Sequence, residues 1–200
     1  MRATPFTLDA IAPTPWKNGG GSTREIAVWP PGAGMDTFDW RISVADIATD
    51  GPFSAFPGID RQIVLMEGAG VHLQAHDDSF CHKLVRVGEP FAFSGDTAVH
   101  ATLVDGPTRD FNVMTRRGTC RAHLSTMHAP FTTESVDGAD GADATVLLLA
   151  LRGAWQAGDG QRLAAGAGLL VPAGLPAIAW QPAEPSALCL RVTLLGERDR

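Results

Sequence analysis

Trp40-Arg41-Ile42-Ser43-Val44 alternates strictly between apolar and polar side chains. A period of two belongs to a strand, with Trp40, Ile42 and Val44 on one face and Arg41 and Ser43 on the other. Downstream, Arg61 to Met66 reads as a strand closed by Glu67-Gly68-Ala69-Gly70, and Val71 to Leu73 follows. Phe91 to Phe93 precedes the turn Ser94-Gly95-Asp96, and Val99 to Val104 leads to Asp105-Gly106-Pro107. Asp110 to Met114 then resumes a strand, with Asp110 and Asn112 on one face and Phe111 and Val113 on the other. Short β-type runs between turn residues, with 22 Gly and 14 Pro and no long helical period, predict an all-β sandwich or barrel.

The composition shifts between about Met127 and Ala144, where the acidic, apolar-poor stretch Glu134 to Asp143 reads as a loop or linker. Beyond it the chain is apolar again, in Val146 to Leu151, Leu169 to Gly174 and Leu188 to Leu195. Each half holds a buried strand ending near glycine (Ile63 to Gly68; Val146 to Gly153), a Gly-Asp turn and a final apolar strand. This pattern resembles two fused cupin-like jelly-roll barrels, a bicupin. The expected division is an N-terminal strand plus first barrel with the pocket in 1–126, then linker and second barrel in 127–200. The strand near Arg24 to Val28 can pair with either barrel.

The chain is 44% hydrophobic and carries a net charge of −6, enough apolar material for a core and the wrong sign for nucleic acid as main partner. The stripe Arg109, Arg116, Arg117 and Arg121 reads as a solvated rim. Three widely spaced cysteines without a Cys-x-x-Cys pair argue against a disulfide frame or zinc site. No signal-peptide pattern opens the chain, and no apolar run is long enough to span a bilayer. The expectation is a soluble cytoplasmic protein with no membrane partner.

Pro15-Trp16-Lys17-Asn18-Gly19-Gly20-Gly21-Ser22-Thr23-Arg24-Glu25-Ile26 gathers an aromatic, a cation, an amide and three glycines before a strand. Either it is a glycine-rich hairpin under a Trp lid, or its backbone N–H groups form an anion nest with Lys17 as a point charge. Arg41 and Arg61 lie on strand-like runs, where a long charged side chain needs a partner. That partner is an internal aspartate (Asp39, Asp46, Asp60 or Asp110) or the carboxylate of a ligand, which the guanidinium fork fits. The ligand reading assigns a pocket to Lys17, Arg41 and Arg61, with Asn18, Gly19, Gly20, Thr23, Ser43 and Asn112 as hydrogen-bonding positions. Phe53, Phe56 and Trp16 would form an apolar wall, or simply pack in the core.

Competing chemistries have weaker signals. His72 and His76 sit four apart, about 13 Å on an extended strand, and with His100 they lack the His-x-His spacing of a metal cupin. They read as surface and turn residues, so no metal or other cofactor is expected. No Gly-x-Ser-x-Gly elbow occurs, and no catalytic residue is assigned. The second half offers few polar groups and reads as a structural partner or a homodimer surface.

Several blocks in order resemble the HutD/Ves family of bacterial bicupins. They are Pro15 to Ile26, Trp40 to Ala45, Gly51 to Arg61, Phe93 to Asp96 and Gly106 to Met114, within about Pro13 to Arg117. The second half matches only as generic cupin pattern. The resemblance implies a bicupin fold in a bacterial cytosol. For the HutD branch it also implies a regulatory role in histidine utilisation, with formylglutamate, urocanate or formate as ligand. The expected function is therefore a non-enzymatic regulator that binds a small carboxylate. Its rivals are a metal-free isomerase or hydrolase using Glu25, Asp110 or His100, a metal-dependent cupin enzyme, and a structural module with an empty pocket.

Overall fold

A computed structural model describes residues 2–133 and 144–196. The acidic stretch read as a linker, 134–143, lies outside the described residues. The strands are β1 (Thr4–Thr7), β2 (Thr14–Pro15), β3 (Gly21–Trp29), β4 (Trp40–Ile47), β5 (Gly51–Phe53), β6 (Ile59–Glu67) and β7 (Val71–Ala75). They continue with β8 (Cys81–Leu84), β9 (Pro90–Ser94), β10 (Val99–Leu103), β11 (Thr108–Arg116), β12 (Cys120–Met127) and β13 (Phe131–Thr132). The last are β14 (Ala144–Arg152), β15 (Ala154–Ala157), β16 (Arg162–Ala164), β17 (Ala167–Val171), β18 (Ala179–Pro182) and β19 (Leu188–Gly196). One 3₁₀ turn, Leu8–Ala10, is the only helical element among the described residues, and no helix is long and apolar enough to cross a membrane. The fold is all-β, as the alternation predicts.

The chain divides into two compact units. The first, Ile11–Thr119, has a six-stranded sheet in the order β2-β3-β4-β11-β6-β9 and a four-stranded sheet β5-β10-β7-β8. Every pairing is antiparallel. Its core takes Ile63, Leu65 and Phe93 from the larger sheet and Val71, Leu73, Leu84, Val99 and Ala101 from the smaller. β3, the strand of open assignment, pairs with β2 and β4 in this unit.

Register then decides which side chains enter that core. Residues directly opposite each other on neighbouring strands share a face. On β11, Met114 lies opposite Arg41 and Arg61, Asn112 opposite Ser43 and Ile63, and Asp110 opposite Ala45 and Leu65. Since Ile63 and Leu65 belong to the core, Arg41, Ser43, Arg61, Asp110 and Asn112 occupy the inner face with them. Trp40, Ile42 and Val44 are buried on the opposite face. The polar half of the diagnostic alternation is thus the inner half.

The second unit comprises the described parts of Met1–Ala10 and Cys120–Arg200. Its sheets run β1-β17-β14-β19-β12 and β13-β18-β15-β16. Trp155, Trp180, Leu148, Leu163 and Leu169 are among its core residues. This division differs from the expected boundary after residue 126. β1 pairs with β17, and β12 pairs with β19 over eight positions, from Cys120 opposite Gly196 to Met127 opposite Cys189. The break falls after the turn at Gly118, which leads from β11 in one sheet to β12 in another and resembles the chain's other turns in sequence.

Candidate functional site

Arg61 is the organising group. It is only 8% exposed on β6. Its Nη2 donates to Asn112 Oδ1 at 3.1 Å and its Nη1 to the Ser54 carbonyl at 3.4 Å. Its guanidinium carbon lies 4.9 Å from the Phe93 ring centre and 5.5 Å from those of Phe53 and Phe56. No carboxylate pairs with it among the described residues. Burial, with the Arg41 charge, lowers its pKa to about 10, so it remains a cation at neutral pH.

Arg41 sits beside it with a side chain 13% exposed. Its Nε donates to Glu25 Oε2 at 2.7 Å and its Nη1 to Ser43 Oγ at 3.4 Å. Glu25 is 44% exposed, so Arg41 has a solvated carboxylate partner while Arg61 has none among the described residues. None of the four expected aspartates bridges Arg41 or Arg61. Asp46 accepts from Arg24 and Arg109, and Asp60 from Arg117. Asp39 engages its neighbours through its backbone N–H and carbonyl.

Asp110 has no exposure, and neither carboxyl oxygen has a hydrogen-bond partner among the described residues. Burial pushes its pKa up to about 7. Asn112 Nδ2 donates weakly, at 3.4 Å, to the Asp110 main-chain oxygen, while its Oδ1 faces Arg61.

The glycine hairpin makes a different object from an anion nest. Lys17 is exposed on the turn. The Gly19 N–H donates to the Trp16 carbonyl at 3.0 Å and the Gly20 N–H to Asn18 Oδ1 at 3.0 Å, so both donors are already used. Gly19 has φ +72°, which accounts for one glycine, and a Cβ on Gly21 would collide with the Asp46 carbonyl oxygen and press on the Trp16 ring. The Trp16 indole donates to Thr23 Oγ1 at 2.7 Å. Trp16, Asn18, Gly20 and Phe53 help line a cleft of about 10 Å³, room for about one water. The hairpin is a packed turn under a Trp lid.

The structure therefore brings Arg41, Ser43, Arg61, Asn112, Phe53 and Phe56 together, and leaves Lys17, Asn18, Gly19, Gly20 and Thr23 in the hairpin. Phe53 touches both groups. Phe93 is a third ring at Arg61 beyond the expected Phe53 and Phe56, and its place in Phe91-Ala92-Phe93 marks it as inward-facing. Glu25 enters as the partner of Arg41. Of the arginine stripe, Arg117 and Arg121 are exposed as a rim would be, with Arg117 paired to Asp60 and Asp96, whereas the half-buried Arg109 pairs with Asp46 and Glu67 and Arg116 donates to the Phe38 and Asp36 carbonyls.

His72 lies opposite Thr102 and Lys83, His100 opposite Gln74 and Pro52, and His76 follows β7. No group of three His, Cys, Asp or Glu able to hold a metal occurs among the described residues. No disulfide links Cys81, Cys120 and Cys189. The second unit is less bare than its sequence suggests. Arg191 and Thr193 are buried on β19, on the face of Cys189, with Ser125 opposite Arg191. A separate cleft of about 330 Å³ is lined by residues including Phe131, Thr132, Gln156 and Gln181.

A family model described as HutD matches residues 9–189. Protein Ves of Escherichia fergusonii is 43% identical over 145 residues, which is 72% of this chain and 70% of that protein. The structure of HutD from Pseudomonas fluorescens SBW25 (formate condition) superposes with a TM-score of 0.81 at 32% identity, covering 98% of this chain and 100% of that one. A cupin 2 conserved barrel domain protein from Leptotrichia buccalis superposes with a TM-score of 0.58 at 11% identity, covering 98% and 97%, a likeness of fold alone. A match across nearly the whole length, with relatives of this similarity, means that the chain belongs to the HutD/Ves family and has the cupin jelly-roll fold.

Proposed function

We propose that this protein is a non-enzymatic regulator of histidine utilisation in the bacterial cytoplasm, binding a small carboxylate in the first unit. The observation that carries the reading is Arg61: a buried guanidinium without an anionic partner, ringed by three phenylalanines and repelled by Arg41. Leaving a charge in that state costs stability unless something pairs with it. A ligand carboxylate does so, receiving the Arg fork while Asn112 and Ser43 offer further hydrogen bonds. Formate, formylglutamate and urocanate are the candidate acids.

The test is a thermal-shift screen of these acids on wild type, Arg61→Met and Lys17→Ala. A bound acid at a hundred times its dissociation constant adds about 2.7 kcal/mol to stability. The shift is expected in wild type and Lys17→Ala and absent in Arg61→Met. No shift in wild type with any acid rejects the reading.

One observation favours a second reading, a metal-free enzyme acting on a related acid. Asp110, with a pKa near 7, is suited to proton transfer at neutral pH. Turnover of such an acid by wild type, lost in Asp110→Asn, would support it over a pure binding role.

A further inference from the structure

Two of the three rings around Arg61, and the carbonyl that accepts from its Nη1, come from the single link between β5 and β6: Phe53, Phe56 and Ser54. Ser54, Ala55 and Pro57 in that link are exposed, while Arg61 beneath them is buried. Neither of the two clefts described above is lined by Arg61. The link therefore stands between the guanidinium and solvent.

It is held firmly at its ends and lightly in its middle. At the start, Phe53 pairs with Val99 on β10. At the far end, the Ser94-Gly95-Asp96 turn after β9 grips it. The Phe56 N–H donates to the Gly95 carbonyl at 2.6 Å, and the Gly58 N–H donates to Asp96 Oδ1 at 2.7 Å. Asp96 Oδ2 accepts from Ser94 Oγ at 2.9 Å and from Arg117, whose own N–H donates to the Gly58 carbonyl at 3.0 Å. A Cβ on Gly95 would stand 2.8 Å from the Phe56 carbonyl oxygen and 2.7 Å from that of Ile59, so this grip needs glycine. Between the ends, Ser54 is tied to the interior by the long 3.4 Å bond from Arg61. Asp96 is exposed, and hydrogen bonds open to water belong to the parts of a fold that open most easily. Two sequence blocks that carry the family resemblance, Gly51 to Arg61 and Phe93 to Asp96, thus meet in one device.

We propose that residues 54–58 form a strap over Arg61, clasped by the Asp96 carboxylate, and that a carboxylate reaches Arg61 when the strap lifts about Ser54-Ala55. The entry step rests on the carboxylate-binding reading above, whereas the strap does not. Closed, the strap gives Arg61 a carbonyl and two ring faces in place of an anion. An entering acid competes with those contacts, so its apparent affinity is scaled by the fraction of molecules that are open.

The experiment treats wild type, Asp96→Ala, Asp96→Asn and Gly95→Ala with phenylglyoxal and reads the modification rate of each arginine by peptide mass mapping. The exposed Arg121, and Arg191 buried in the other unit, are internal standards. Arg61 should react about three- to ten-fold faster in Asp96→Ala, the worth of one hydrogen bond, and faster in Gly95→Ala as well. Asp96→Asn removes the same charge but keeps an oxygen for the Gly58 N–H, so its Arg61 should react nearly as in wild type. Unchanged Arg61 rates in both Asp96→Ala and Gly95→Ala overturn the strap, and so does a rise shared by Arg191, which would mean general loosening. Calorimetry with formate, formylglutamate and urocanate tests the entry step. An acid that binds wild type should bind Asp96→Ala more tightly by a similar factor, and Asp96→Asn about as wild type does. Equal or weaker affinity in Asp96→Ala, with Arg61 reacting faster, overturns entry beneath the strap. No binding of any acid to wild type or Asp96→Ala, with Arg61 still reacting faster, overturns the carboxylate reading and leaves the strap standing.

Discussion

The two units share a two-sheet plan and differ in how their interiors treat polar groups. In Ile11–Thr119, the three neighbouring strands β4, β11 and β6 all place polar side chains on the inner face: Arg41 and Ser43, Asp110 and Asn112, and Arg61. In the other unit, Trp155, Trp180, Leu148, Leu163 and Leu169 fill the interior, with Arg191 and Thr193 as a polar strip on β19. Apolar interiors stabilise a fold, whereas interior charges cost stability unless matched. A unit that keeps an unmatched guanidinium and an unmatched carboxyl in its centre is built for something other than stability. On the function proposed above, the binding site belongs to the first unit.

The largest effect that would break this contrast is expected from the second unit. Trp155→Ala removes a fully buried side chain and should cost about 3–5 kcal/mol in chemical denaturation. The variant, measured where it is still folded, should bind acids as wild type does. A weakened affinity would mean that the second unit shares the binding chemistry.

Next comes the pH dependence of stability. The Asp110 pKa is raised in the folded state to about 7, above its unfolded value, so the native state holds a proton that the unfolded state gives up. This residue's contribution to stability is therefore best below about pH 4 and declines as the pH rises to about 7, by a few kcal/mol at most. Denaturation curves of wild type and Asp110→Asn across that range should diverge, with the variant lacking this decline. Parallel curves would show that Asp110 is solvated or paired.

A smaller effect sharpens the electrostatic side. Glu25→Gln removes the one carboxylate on Arg41 and should raise acid affinity several-fold, because an incoming anion no longer competes with it. A drop in affinity would mean that Glu25 orients Arg41 for the ligand. Smallest of all, Lys17→Ala should change stability by less than about 0.5 kcal/mol, as expected for an exposed residue away from special features. Its acid affinity should equal that of wild type within error.

The legible and illegible parts of the sequence follow from the range of the interactions. Alternation is local, so Trp40 to Val44 already placed Arg41 and Ser43 on one face, and Asp110 and Asn112 on another. That these two faces coincide, with Arg61 beside them, depends on β4-β11-β6 pairing across tens of residues, which no local pattern encodes. The glycine hairpin misled for a related reason. Glycines show that the backbone needs freedom there, but not that Trp16 and Asn18 already take the Gly19 and Gly20 donors. In the second half, Leu188 to Leu195 reads as one apolar strand because both of its faces are buried. Its alternation nevertheless puts Cys189, Arg191 and Thr193 together on one of them. The boundary between units was hidden because β1 joins a sheet whose other strands lie more than a hundred residues later.

The central claim is that the unmatched guanidinium of Arg61 holds the carboxylate of a metabolite. Calorimetric titration of formylglutamate, urocanate and formate into wild type and Arg61→Leu tests it most directly. The account predicts saturable binding of at least one acid to wild type, and none to an Arg61→Leu protein that is folded and no less stable. Binding that survives in Arg61→Leu would contradict it.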